Sequence, residues 1–170
     1  MKKWVAVVVV MLMMIPFTVQ AGYKEGEQEF QISGSGTSDK DFDGTVFSTE
    51  LSYSYFVIDN LGVFIRQGIG VADTAGGSDW NGSTRVGADY YFDIDQWQPY
   101  AGLSIGYLYG DNTQESFIAG PELGVKYFVN DTTFINLGAE YQFVFEDADE
   151  SENAIDDGRW TYVVGVGFKF

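Results

Sequence analysis

The stretch that decides the fold class is Ile135-Asn136-Leu137-Gly138-Ala139-Glu140-Tyr141-Gln142-Phe143. Apolar and aromatic side chains occupy every second position, and Gly or polar residues fill the positions between them. Successive side chains of a strand point to opposite faces of a sheet, so this alternation predicts a strand with one apolar and one polar face. The same period of two recurs at 47–55, 61–71, 100–109, 122–127 and 159–170. We therefore expect an all-β chain.

A short repeat fixes the number of predicted strands. The pattern Tyr-Phe-x-x-Asp occurs at 55–59, 91–95 and 127–131, at equal intervals along the chain. Each copy predicts a strand end followed by a tight turn, because Asp and Asn favour turns. Longer polar stretches separate these turns, at 37–44, 73–82, 110–116 and 146–158. Short turns that alternate with long loops predict an eight-stranded antiparallel up-and-down transmembrane β-barrel.

One detail of the repeat conflicts with the alternation. The repeat predicts that Tyr91 points outward, whereas inward positions for Arg85 and Asp89 require the opposite phase. A bulge shifts the side-chain phase of a strand by one residue. We therefore expect a β-bulge near Tyr90 and Tyr91.

The N-terminus has the features of a secretory signal. Lys2 and Lys3 precede an apolar run over residues 4–17, and Val19-Gln20-Ala21 suits a signal peptidase. The apolar run is shorter than the roughly 20 residues of a spanning helix. Residues 1–21 are thus predicted to be a cleaved signal peptide and residues 22–170 one barrel domain. An uncleaved membrane anchor is the alternative.

Composition excludes several function classes. The formal net charge is −16, so no basic face is available to neutralise the phosphates of a nucleic acid. The chain has neither His nor Cys, which excludes Ser/His/Asp and Cys/His nucleophile systems. A narrow barrel also leaves no room for a sugar between paired carboxylates. We expect a protein that is not an enzyme and carries no cofactor.

The predicted inward positions carry balanced charge. They hold five acidic and five basic residues, namely Glu29, Glu50, Asp89, Glu122 and Glu140 against Arg66, Arg85, Lys126, Arg159 and Lys169. Buried charges must be paired to offset their desolvation, so a lumen filled by salt bridges is expected. Glu50 and Arg66 lie diagonally across a hairpin and are the preferred direct pair. Many inward positions are Gly, however, which leaves a narrow, low-conductance diffusion channel as the alternative.

The resemblance to a known family rests on two further stretches. They are Trp97-Gln98-Pro99-Tyr100-Ala101-Gly102-Leu103, at the start of a predicted strand, and the terminal Gly165-Val166-Gly167-Phe168-Lys169-Phe170. Together with the signal peptide and the alternating strands, they resemble the small OmpA-like and OmpX-like outer-membrane barrels. That resemblance implies a bacterial outer-membrane location, with membrane lipid and lipopolysaccharide as surroundings. It also implies that the barrel-assembly machinery reads Phe168 and Phe170 as a signal. Larger members append a periplasmic domain, which we do not expect here because the sequence stops at Phe170.

Two other groups of residues have predicted roles. Aromatic residues near both ends of the strands are expected to line the two membrane interfaces. The segment 146–157 is strongly acidic and offers a weak candidate site for divalent cations, formed by Asp147, Asp149, Glu150, Glu152, Asp156 and Asp157. Its more ordinary interpretation is a solvated, repulsive surface loop. A surface partner, which the sequence does not identify, would bind such loops.

Overall fold

The computed structural model describes residues 22–38, 45–74, 77–111, 115–145 and 158–170. Eight antiparallel strands, each hydrogen-bonded to its neighbours in chain order, form a closed barrel. The strands are β1 (Gln28–Ser38), β2 (Thr45–Ile58), β3 (Leu61–Thr74), β4 (Gly77–Tyr91), β5 (Trp97–Gly110), β6 (Ser116–Phe128), β7 (Thr133–Phe145) and β8 (Arg159–Lys169). The predicted all-β class, strand number and up-and-down order are confirmed.

Pairing of the first and last strands closes the sheet. The register of β1 and β8 runs from Glu29 opposite Lys169 to Ser33 opposite Gly165. A closed barrel has no unpaired edge, so backbone polar groups are satisfied between strands. In the described part of the chain, no helix is long and apolar enough to cross a membrane.

The outer surface of the barrel is apolar along every strand. In β5, for example, Leu103 is 66% exposed and Ile105 is 56% exposed, whereas Ser104 between them is buried. The other exposed apolar and aromatic side chains include Ile32, Leu51, Val63, Ile65, Val86, Phe117, Leu123, Leu137, Tyr162 and Val166. An apolar band of this extent matches the lipid-facing surface of a transmembrane barrel.

Gln67 is the polar exception on the outward face of β3. Its Nε2 donates to the Tyr109 hydroxyl at 2.7 Å and to the Ser83 carbonyl at 3.0 Å. The Thr84 hydroxyl in turn donates to Gln67 Oε1 at 2.8 Å. An amide left without partners in hydrocarbon would cost several kcal/mol, by order of magnitude. Gln67 is therefore compatible with a lipid-facing position, because its neighbours form hydrogen bonds with both ends of its amide group.

The predicted bulge near Tyr90 and Tyr91 is wrong. Strand β4 pairs without a register shift both with β3, where Tyr90 lies opposite Leu61, and with β5, where Tyr91 lies opposite Tyr100. Tyr91 points inward, and its side chain is buried. The irregularity lies instead in β2, between Phe56 and Ile58. The second copy of the repeat differs from the first because β4 ends at Tyr91, whereas β2 continues three residues past Tyr55, to Ile58. Tyr55 and Tyr91, which hold the same position in the repeat, thus lie on opposite faces of the sheet.

The barrel interior as candidate functional site

The three short turns, at residues 59–60, 92–96 and 129–132, define one end of the barrel, here called the turn end. The segment before β1 enters the lumen there, and the Tyr23 side chain is fully buried. Tyr23 and Asn60 exchange hydrogen bonds, from Tyr23 N to Asn60 Oδ1 at 3.2 Å and from Asn60 N to the Tyr23 carbonyl at 3.2 Å. The first short turn therefore holds the N-terminal segment inside the barrel.

Tyr23 lies at the centre of a set of buried rings that we call the turn-end plug. Its members are Tyr23, Phe56, Tyr91, Tyr100, Phe128 and Phe134. Tyr23 stacks on Phe56 with ring centroids 3.9 Å apart and contacts Tyr91 at 4.7 Å. Aromatic pairs at such distances add to the stability that burial provides. The plug fills the lumen at the turn end with apolar rings.

A lysine is enclosed at the inner side of the plug. Lys126 Nζ donates to Glu29 Oε1 at 2.5 Å and to the Tyr91 hydroxyl at 2.7 Å. The ammonium also lies 4.5 Å from the centroid of the Tyr91 ring and 4.8 Å from that of Phe134. A charge in such a place requires both an ion pair and ring contacts to offset its desolvation.

Outside the lumen, the N-terminal segment is fixed by Asp59. The Glu25 N–H donates to Asp59 Oδ1 at 2.9 Å, and Lys24 Nζ lies 3.2 Å from Oδ2. The backbone hydrogen bond, and after it the lysine, lower the pKa of the Asp59 carboxyl. The resulting stabilisation is therefore present above the unfolded pKa and lost as the pH falls through the folded one. Solvent screens this exposed contact, so its effect is small.

Above the plug lies a set of six charged residues that we call the central charge layer: Glu50, Arg66, Arg85, Asp89, Glu122 and Glu140. Arg66 binds Glu122 with both terminal nitrogens, at 2.5 Å and 2.7 Å, and its NH2 group lies 3.3 Å from Asp89 Oδ2. The Phe64 ring lies 3.7 Å from the guanidinium carbon. Arg66 therefore joins β3 to the opposite wall at β6 and to β4.

Arg85 forms the second half of the central charge layer. Its guanidinium donates to Glu140 through one terminal nitrogen and to Glu50 through the other. Glu140 also accepts hydrogen bonds from the Ser104 hydroxyl and from Gln142 Nε2, the latter at 3.1 Å. Each arginine in the layer is thus shared by two carboxylates.

The predicted direct pair of Glu50 and Arg66 is wrong, because neither residue forms its ion pair with the other. Arg66 lies directly opposite Arg85 in the register of β3 and β4. Glu122 likewise lies opposite Glu140 in the register of β6 and β7. Like charges on adjacent strands repel, so Arg66 and Arg85 each extend across the narrow lumen to one member of the Glu122–Glu140 pair. Diagonal proximity within one hairpin does not decide the partner here.

A cavity of about 320 Å³ lies in the half of the barrel beyond the central charge layer. Glu50 and Arg85 are part of its lining, and most other lining side chains are hydroxyls and amides. Gly68 and Gly70 also line it; a Cβ on Gly68 would collide with Ser83 Oγ, and one on Gly70 with Asn81 Oδ1. The described residues thus leave a cavity in this half of the lumen, whereas aromatic rings fill the other half.

Comparison with known proteins identifies the fold. No family model matches the sequence, and no curated protein matches it. The structure matches the N-terminal β-barrel domain of Pseudomonas aeruginosa OprF with a TM-score of 0.58 and 21% identity, over 88% of this chain and 99% of that one. It matches the P. aeruginosa outer membrane protein OprG with a TM-score of 0.58 and 18% identity, over 89% and 99%. The chain has the fold of small outer-membrane β-barrels.

A third match agrees with this outer-membrane barrel fold. The Yersinia pestis outer membrane protein Ail, determined in a phospholipid bilayer nanodisc, matches with a TM-score of 0.54 and 18% identity, over 86% of this chain and 100% of that one. Sequence identities this low show a shared fold only. The predicted resemblance to small outer-membrane barrels is confirmed at that level.

The remaining predicted site residues take different places in this outer-membrane barrel. Lys169 is buried at the turn end, where its Nζ donates to the Gly22 carbonyl at 3.1 Å and lies 3.3 Å from Glu27. Arg159 begins β8, but its side chain is outside the described residues. Phe168 and Phe170 are exposed on the outer surface, and the Phe170 backbone exchanges hydrogen bonds with Gln28.

The candidate cation site lies outside the described residues, since all six of its members fall within 146–157. In the ranges that the structure describes, no group of three or more carboxylates is arranged to hold a metal ion. Sequence reasoning missed the plug, because Tyr23 precedes the first strand and carries no periodic signal.

Proposed function

We propose that this protein is a non-enzymatic integral barrel of the bacterial outer membrane, with a lumen that does not conduct. Its role would be structural or one of cell-surface interaction. The observations that support the proposal are the buried rings of the turn-end plug and the ion pairs of the central charge layer, which both occupy the lumen. Eight strands leave an interior that side chains can fill, and here they fill its turn-end half. Residues 1–21 would be removed as a signal peptide during export.

The chemistry of the interior supports a role without catalysis. The buried carboxylates of Glu122 and Glu140 are held by Arg66 and Arg85, and Glu29 is held by Lys126. A general acid or base must reach a substrate, whereas these groups face one another. The chain also has no His or Cys that could activate a nucleophile.

The surface role would belong to the loops opposite the turn end. Most of the net negative charge of the segments that connect the strands belongs to residues 146–157 and 39–44. We propose that they are solvated at the cell surface, surrounded by lipopolysaccharide, where like charges keep them apart from one another. A protein partner would meet these loops first.

The test of the proposal is leakage from proteoliposomes. Vesicles that contain the refolded barrel should release a trapped small sugar no faster than protein-free vesicles, because two barriers block the lumen. A bona fide porin in matched vesicles controls for sensitivity. Rapid release through the wild-type barrel would contradict the proposal.

A narrow diffusion channel is the second candidate, and the cavity of about 320 Å³ favours it. The inward glycines argue less strongly for a channel than their number suggests. A Cβ on Gly124 or Gly138 would lie 2.5 Å from the Tyr100 hydroxyl, and one on Gly102 would overlap Asp89. These glycines therefore make room for larger side chains rather than for water.

We expect deletion of Phe170 to reduce assembly in cells strongly, provided the assembly machinery reads this residue. Deletion of the acidic stretch 149–153 should leave assembly unchanged, because that stretch is not part of the terminal aromatic pattern. The amount of heat-modifiable barrel in outer-membrane fractions measures assembly. Both variants should still refold in detergent, where no assembly machinery is present. Refolding of the Phe170 deletion would show that the loss of the Phe170–Gln28 hydrogen bonds does not by itself prevent folding. Equal assembly of the two deletions in cells would count against this role of Phe170.

A further inference from the structure

We infer that the cavity beyond the central charge layer is a binding site for a small, polyhydroxylated molecule that carries an amine, such as an amino sugar. The inference goes beyond the proposed structural role, because it assigns the open half of the lumen a ligand of its own. It does not require transport, since the plug closes the other half.

The size and lining of the cavity suit such a ligand. A volume of about 320 Å³ lies at the lower end of the usual range for small-molecule sites. The walls carry hydroxyl and amide groups, contributed by Ser33, Ser48, Asn81, Ser83, Gln142 and Thr161. Hydroxyls and amides both donate and accept hydrogen bonds, so they match the hydroxyls of a sugar better than an apolar ligand.

Glu50 gives the cavity its preference for an amine. Its Oε2 accepts a hydrogen bond from Arg85, and its carboxylate lines the cavity. The side chain is 13% exposed, unlike the more deeply buried Glu140 that shares the same arginine. Two carboxylates on one guanidinium leave spare negative charge at this wall. An ammonium group would neutralise that charge and donate a hydrogen bond to the Glu50 carboxylate.

Arg85 supplies a donor for the same ligand. The residue lines the cavity, is 4% exposed, and its Nε has no acceptor among the described residues. A buried donor without a partner costs free energy, which a ligand hydroxyl would recover by accepting the hydrogen bond. The net charge of −16 for the whole chain would further raise the local concentration of a cationic ligand.

The inference is tested by NMR titration of the full barrel, refolded in nanodiscs, with glucosamine as the probe and glucose as its neutral counterpart. Glucosamine should shift the amide signals of Gly68, Gly70 and Ser83, and glucose should bind at least about tenfold more weakly. Glu50→Gln should weaken glucosamine binding by about tenfold or more. Glu25→Gln, an exposed carboxylate at the turn end, is the matched control and should change nothing.

A second pair of variants keeps the inference falsifiable if Glu50→Gln does not fold. Ser83→Leu places an apolar side chain in the cavity and should abolish the shifts. Val86→Leu enlarges a lipid-facing side chain on the same strand and should leave binding intact. Absence of shifts in the wild type, shifts outside the cavity lining, equal binding of glucose, or full binding by Glu50→Gln or Ser83→Leu would each overturn the inference.

Discussion

Replacement of Arg66 by Met is expected to lower the free energy of unfolding by about 3–5 kcal/mol, the usual cost of leaving a buried charge unpaired. Arg66 is the cation bound to both Glu122 and Asp89, and all three side chains are largely buried. Met replaces the aliphatic stem of Arg66, so the loss would come mainly from the missing guanidinium and its ion pairs. Urea unfolding in lipid vesicles, followed by tryptophan fluorescence, measures it.

The control and the double-mutant cycle make this result specific. Lys24→Met breaks the exposed pair with Asp59 and should leave the unfolding midpoint unchanged. Arg66→Met combined with Glu122→Gln should cost less than the sum of the two single changes, since each removes the partner of the other. Stronger coupling of Arg66 to Glu50 than to Glu122 would show that the observed pairing is not the one that stabilises the barrel.

Tyr23→Ala is expected to produce a second large loss of stability, about 3–5 kcal/mol. The change would remove a fully buried ring from the middle of the plug, together with its stacking on Phe56 and its hydrogen bond to Glu29 at 2.5 Å. The same urea unfolding experiment measures the loss.

Tyr162→Ala is the matched control for Tyr23→Ala. Tyr162 is 72% exposed on the lipid face, so its truncation should cost much less. An equal cost for both variants would mean that the N-terminal segment does not pack inside the barrel.

Local periodicity explains how much of the fold could be predicted. The period of two in residues 135–143 predicts β7 (Thr133–Phe145) and its inward residues, because pleating assigns faces to side chains without tertiary information. The same alternation in residues 61–71 and 122–127 places Arg66 and Glu122 inside. The alternation does not explain the outward-facing Gln67. Its amide forms hydrogen bonds with Thr84 and Tyr109 on two other strands, which only the fold brings close.

The choice of ion-pair partners could not be predicted in the same way. Arg66 and Glu122 are far apart in sequence and meet only because the closed barrel brings β3 and β6 to opposite walls. The repeat suggested the wrong face for Tyr91, because like sequence motifs ended strands at different points. Tyr23 reaches the plug through turn contacts with Asn60, which no alternation encodes.

Single-channel recording in planar bilayers tests the closure of the lumen most directly. The wild type, Tyr23→Ala and Arg66→Ala should all be silent, because each retains at least one of the two barriers. The double variant Tyr23→Ala/Arg66→Ala should show discrete openings, because it lacks residues of both. Discrete openings of the wild-type barrel would contradict the account and favour the diffusion channel.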